Sequence, residues 1–131
     1  MIILDTHVLI FWLSNPEKLS RKAREIIEKA VKNKEVYVSS ISVWEIAMLV
    51  SKGRLELAME VKDWIAAVES LSFLHFVPVN NNISIKSVQL KDFIHKDPVD
   101  RIIIATSITL NALLITKDDK ILKYPQVKAV W

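Results

Sequence analysis

The chain has no cysteine, a single glycine and no long apolar run. Without cysteine there can be no disulfide, no thiolate metal site and no cysteine nucleophile, and the composition suits a reducing compartment. With Gly53 as the one glycine, neither a Walker A loop nor a G-x-G-x-x-G fingerprint is present, so nucleotide binding through either glycine loop is excluded. No apolar stretch approaches the roughly 20 residues that span a bilayer. Only Met1-Ile2-Ile3-Leu4 precedes Asp5, with no basic leader, so a cytoplasmic protein without membrane association is expected. Excess charge is lacking too: 18 basic and 15 acidic residues leave +3 at pH 7, which permits nucleic-acid binding without demanding it.

What is present is a chain of 131 residues, 51% hydrophobic and 25% charged, enough for one globular domain over residues 1–131. Strand and helix patterns alternate from end to end. Ile2-Ile3-Leu4 reads as a short buried strand that stops at Asp5-Thr6. Leu19, Ala23, Ile26, Ile27, Ala30 and Val31 recur at helical steps behind a Ser20 cap. Residues 35–39 read as a second strand. Ser42 opens a helix that ends near Gly53. Val61, Trp64, Ile65, Val68 and Leu71 mark another helix, and residues 76–79 an outer strand, because Pro78 cannot donate to a central ladder. Residues 82–92 fit either period. A helix opens at Asp97-Pro98, followed by a strand at 112–116, a short helix from Asp118 and an edge strand at 127–130. Such βα alternation predicts an α/β/α sandwich on a parallel sheet.

In that architecture strand C-termini and helix N-termini share one edge. Asp5 follows the first strand, Asp118 follows the strand at 112–116, and Glu45 and Asp100 fall in first helical turns. Each acid but one has a plainer explanation. Ser42-x-x-Glu45 is a capping box, Asp97 caps a helix with Pro98 at its first position, Asp100 suits the helix dipole, and Asp118 caps the short helix. Asp5, directly behind three apolar strand residues, resists it. Two carboxylates about 4 Å apart repel by roughly 4 kcal/mol at an effective dielectric near 20, so four together need a counter-charge. A hard cation with oxygen ligands, Mg²⁺ or Mn²⁺, supplies it and is suited to phosphate chemistry.

Leu4-Asp5-Thr6-His7, Ser42-Val43-Trp44-Glu45-Ile46-Ala47, Lys52-Gly53-Arg54-Leu55, His95-Lys96-Asp97-Pro98-Val99-Asp100-Arg101 and Leu114-Ile115-Thr116-Lys117-Asp118 resemble the PIN-domain ribonucleases. More narrowly they resemble the VapC-like toxins of toxin–antitoxin pairs, over essentially the whole chain. The resemblance implies a five-stranded parallel sheet with helices on both faces, and Mg²⁺- or Mn²⁺-dependent cleavage of RNA. It also implies a homodimer and a small antitoxin that inserts a segment near the active site. The family's acidic positions map onto Asp5, Glu45, Asp100 and Asp118, and the segment at 82–92 becomes helical. On this reading Asp5 and Asp100 hold the principal metal, while Glu45 and Asp118 hold waters or a second, weaker one. Thr6 and Thr116 bond the carboxylates or the phosphate. Asp97, kept as a cap, and Asp119, beside Asp118, are acids at the margin of the set.

Lys52, Arg54, Lys96 and Lys117 are candidates for phosphate contact, and Arg101 for RNA, for the antitoxin or for pairing with Asp97. His7, His75 and His95 share no ligand-like spacing, so zinc is not expected, and His95 reads as a surface or capping residue in preference to an RNA contact. Trp12, Trp44, Trp64 and Trp131 are expected in the core or a dimer interface. Two rivals stand beside the nuclease: a PIN fold without catalysis that binds RNA or protein, and a flavodoxin-like phospho-receiver. The receiver calls for paired acids near the first strand, where this chain supplies only Asp5.

Overall fold

A computed structural model describes residues 1–92 and 95–131. Five strands, β1 (Ile2–Leu4), β2 (Val36–Ser39), β3 (Leu74–Val77), β4 (Leu113–Ile115) and β5 (Ala129–Val130), form one sheet in the order β3-β2-β1-β4-β5. Every neighbouring pair is parallel, with Leu4 opposite Val38 on one side and Ile115 on the other. The chain builds outward from β1 to β3, then returns across β1 to place β4 and β5. The topological switch point therefore lies between β1 and β4, where open α/β sheets carry their ligands. This order is not the 2-1-3-4-5 of flavodoxin-like folds, and the receiver alternative falls with it.

Helices cover both faces. Along β1, Ile2 and Leu4 enter one core with Val8, Leu9, Ala23, Ile27, Ile46 and Trp64, while Ile3 enters a second with Val99, Ile103, Ile104 and Ile121. That alternation is the two-residue period of a strand buried on both sides. The first core is closed by α1 (Thr6–Ser14), α2 (Arg21–Lys32), α3 (Ile41–Ser51) and α4 (Val61–Glu69). The second is closed by α6 (Pro98–Leu110) and α7 (Asp119–Leu122), and α5 (Asn81–Val88) packs on α6.

Most expected elements form within a residue or two of their sequence bounds. Ser20 caps α2 by accepting from the Ala23 N–H at 3.0 Å, as its sequence position suggests. The third strand is shifted, ending at Val77 and leaving Pro78 outside the ladder. Residues 82–92 are helical as far as Val88, with Ile83 buried and Ile85 exposed. Gly53, at φ +68°, closes α3 with two turn bonds, Gly53 N–H to Val50 O at 3.1 Å and Arg54 N–H to Leu49 O at 2.9 Å. This is a Schellman motif, and it needs the left-handed residue that glycine supplies. The helix α1 has no counterpart in the sequence reading. Its residues Val8 to Leu13 are apolar all round, so no 3.6-residue period marks them.

Candidate metal centre

The edge at the ends of β1 and β4 carries a cleft of about 530 Å³. Five carboxylates line it: Asp5, Glu45, Asp97, Asp100 and Asp118. They reach it from four places, the β1–α1 junction, the second turn of α3, the start of α6 and the β4–α7 junction. The rings of His7, His95 and Phe11 and the side chain of Lys117 complete the described lining.

Asp5 spans the switch point. Its Oδ2 accepts from the Thr116 hydroxyl at 2.7 Å and its Oδ1 from the Thr6 N–H at 2.7 Å. The same Thr116 oxygen accepts from the Asp118 N–H at 3.1 Å, so one buried hydroxyl ties two acids together. The capping readings change hands here. Asp5, which had no such explanation, is the N-cap of α1. Glu45, which had the strongest, has none: α3 starts at Ile41 behind Ser40, without a side-chain cap bond. Ser42 lies inside the helix with its hydroxyl 2.8 Å from that of Thr6. The Ser42-x-x-Glu45 box is not formed, and Glu45 sits at the fifth helical position, only 9% exposed. Asp97 and Asp118 do act as caps, accepting from the Val99 and Lys120 N–H groups at 2.9 and 2.8 Å.

Electrostatically the cleft favours positive charge. Burial pushes the Asp5 and Glu45 carboxyls above their usual range, partly offset by the Thr116 hydroxyl at Asp5 and the Thr6 hydroxyl at Glu45. Asp100 is pushed up to about 8 by burial and then by Asp5, Asp97, Asp118 and Glu45. A cation bound among these carboxylates would displace the protons that they hold.

His95, expected at the surface or as a cap, brings its Nε2 to 2.5 Å from Asp100 Oδ2 and 3.8 Å from Asp118 Oδ2. His95, Asp97 and Asp100 each offer a ligand atom, all within 4.8 Å of one another. A His/Asp cluster able to coordinate a divalent ion is therefore present, and its donors fit a hard cation better than zinc, which favours nitrogen and sulfur. The signal was available: His95 directly precedes the helix whose first turn carries Asp100.

Of the basic candidates, Lys117 alone lines the cleft. Lys52 and Arg54 lie past the far end of α3, Lys52 about 10 Å along the axis from Glu45. Lys96 and Asp119 are exposed. Arg101 faces inward: Nε donates to Ser87 O at 2.9 Å, Nη2 to Val88 O at 3.3 Å and Nη1 to His95 O at 3.0 Å. It satisfies carbonyls at the C-terminus of α5 and pins the backbone that carries His95. Trp64 is in the core, whereas Trp44 is 57% exposed, which leaves the interface alternative of its expected place. It lines an apolar groove with Ile41, Met48, Pro98 and Val99 that shares Glu45 and Asp97 with the cleft.

Two substitutions probe this scaffold. Thr116→Val removes both bonds of one buried hydroxyl and should cost about 2–3 kcal/mol, read as a lower urea midpoint at unchanged slope, with Thr116→Ser restoring most of it. Arg101→Lys loses the three-way fork and should cost about 1–3 kcal/mol, with faster amide exchange at the end of α5.

The PIN domain family model matches residues 2–127, and the chain belongs to the PIN-domain family. Within it the chain resembles the VapC-like toxins. It is 32% identical to Ribonuclease VapC22 of Mycobacterium tuberculosis, over 99% of this chain and 98% of that one. Two solved structures share the fold. VapBC2 from Rickettsia felis, bound to a DNA fragment from its promoter, matches with a TM-score of 0.73 at 20% identity over 99% of this chain and 98% of the other. A toxin–antitoxin complex from Klebsiella pneumoniae matches at 0.66 and 21% identity, over 100% and 97%. Among the described residues no helix is long and apolar enough to cross a membrane.

Proposed function

We propose that this chain, acting as one domain over residues 1–131, is a cytoplasmic Mg²⁺- or Mn²⁺-dependent endoribonuclease and the toxin of a toxin–antitoxin pair. The observation that carries the proposal is the meeting of Asp5, Glu45, Asp100 and Asp118 from four separate chain segments in one cleft. In this reading Asp5 and Asp100 hold the principal cation, assisted by Glu45 and Asp118. When bound, that cation supplies Lewis acidity to a phosphate oxygen and lowers the pKa of water. The chain's own groups do the rest. Thr116 and Thr6 fix the Asp5 carboxylate in one orientation. Lys117, at the rim, faces the negative charge of the RNA backbone. Glu45, whose burial raises its affinity for a proton, is suited to take one from the attacking water at its carboxylate. The expected products carry a 5′-phosphate and a 3′-hydroxyl.

Two surfaces support the partners. The apolar groove at Trp44 adjoins the cleft and can seat apolar side chains of an antitoxin segment. On α5, Ile85 and Val88 are one turn apart and both exposed, an apolar strip suited to a second copy of the chain.

The test is incubation of a mixed RNA pool with the purified chain in Mg²⁺, in Mn²⁺ and in EDTA, followed by mapping of 5′ ends. Cation-dependent cleavage at discrete sites supports the nuclease. Cleavage no greater than that of an Asp100→Asn control would leave the non-catalytic PIN module in its place. Co-expression with the product of a neighbouring small reading frame should relieve growth arrest.

A further inference from the structure

We propose that His95 is a nitrogen ligand of the bound cation, so that this cleft favours Mn²⁺ over Mg²⁺. The inference rests on the reading of the cleft as a metal centre, and adds a donor that an all-carboxylate site lacks.

The imidazole is aimed rather than adrift. Nη1 of Arg101 holds the His95 carbonyl at 3.0 Å, while Nε and Nη2 of the same guanidinium are committed to the end of α5. The backbone that carries the ring is thereby tied to two helices. From there Nε2 faces two carboxylate oxygens from different elements, Asp100 Oδ2 at 2.5 Å and Asp118 Oδ2 at 3.8 Å. With metal–ligand bonds of about 2.1 Å in an octahedron, donor atoms lie about 3 Å apart when adjacent and about 4.2 Å apart when opposite. The His95–Asp118 spacing of 3.8 Å lies between those two values. The His95–Asp100 pair is closer, at hydrogen-bond distance, and would open by about half an ångström for both atoms to reach one cation as adjacent donors. The ligand atoms of His95, Asp97 and Asp100 lie within 4.8 Å of one another, a spread that one small ion can gather with side-chain shifts of about half an ångström.

Donor chemistry then sets the preference. Mg²⁺ gains little from imidazole and binds carboxylate and water, whereas ions further along the first transition row gain from a nitrogen donor. The surrounding carboxylates keep the site hard enough for Mn²⁺.

The test uses the full chain and the metals alone. Mn²⁺ and Mg²⁺ affinities are measured by calorimetry, and the Mn²⁺-loaded protein is examined by pulsed electron paramagnetic resonance for coupling to an imidazole nitrogen. The wild type should show that coupling, His7→Gln should retain it, and His95→Gln should lose it. The ratio of Mn²⁺ to Mg²⁺ affinity should fall roughly tenfold or more in His95→Gln. A fall in affinity alone is also what an outer partner of Asp100 would give, so the nitrogen signal decides. Its absence from the wild type, its survival in His95→Gln or its loss in His7→Gln overturns the proposal. Should His95→Gln fail to fold, the wild-type and His7→Gln spectra with His95→Asn carry the same decision. RNA cleavage does not enter this readout. Nitrogen-coupled Mn²⁺ in a protein that leaves RNA intact would sink the nuclease and keep the ligand, and cleavage without coupling would do the reverse.

Discussion

Replacing Asp100 by Asn is expected to abolish cleavage and, at the same time, to raise the melting temperature of the metal-free protein. The two effects have opposite signs because the same charge serves catalysis and burdens the fold. Asp100 sits among four other carboxylates, and burial with their repulsion moves its proton affinity up to about 8. At pH 7 the folded chain must therefore take up a proton that the unfolded chain does not hold, or bear an uncompensated charge. Asn mimics the protonated carboxyl in size and polarity and escapes that penalty. The His95 imidazole, hydrogen-bonded to Asp100, offsets part of the repulsion, so the net gain is on the order of 2 kcal/mol, or several degrees in Tm. Cleavage should fall by at least ~10²–10³-fold, the scale seen when one preorganised group at developing charge is removed. Thermal denaturation in EDTA and single-turnover cleavage in Mn²⁺, on the same preparation, check both signs. Retained cleavage, or a metal-free Tm lowered by a similar amount, would remove Asp100 from its proposed place.

The outline of the fold was readable because most of its elements are two-sided. Strands buried on both faces and amphipathic helices such as α2 announce themselves by period. The unread element, α1, is apolar on all sides because it fills the space between the sheet and the other helices of its layer. Nothing in Thr6 to Ser14 separates such a segment from a buried strand. The convergence of acids was also readable, since topology alone puts strand ends and helix starts on one edge. Which acid was structural and which was free for chemistry was not. Local pattern made Glu45 a cap and left Asp5 without a capping role, yet α3 starts behind Ser40, two residues before Ser42, and α1 starts behind Asp5, so both assignments reverse. A capping motif states what a side chain is able to do at one register, and packing chooses the register. His95 was lost for a related reason. Spacing among the histidines carries no sign of it, because the partners of this one are carboxylates from the start of α6 and the β4–α7 junction.

The stabilisation conferred by Mg²⁺ or Mn²⁺, measured as the Tm in cation minus the Tm in EDTA, is expected to widen as pH rises from 6 to 8. The raised proton affinities of Asp5, Glu45 and Asp100 set the sign. Because these folded values lie above the unfolded ones, the groups' contribution to metal-free stability is complete below about pH 4 and is lost as pH climbs through the folded values. For Asp100 that loss accumulates from the unfolded value of 3.8 and is complete at about 8. The cation competes for the same oxygens, and it must displace whatever protons they hold. Below pH 8 each pH unit removes one such obstacle at Asp100, so the affinity rises about tenfold per unit and about 100-fold over two. At a fixed, saturating cation concentration that difference is worth ~2.7 kcal/mol of additional stability. The metal-free curve falls while the loaded curve holds, and the gap opens between them. In Asp100→Asn the gap should be small at every pH and its slope largely gone. A gap that is constant or narrows from pH 6 to 8 in the wild type would mean that the cation binds elsewhere, without displacing protons from this cleft.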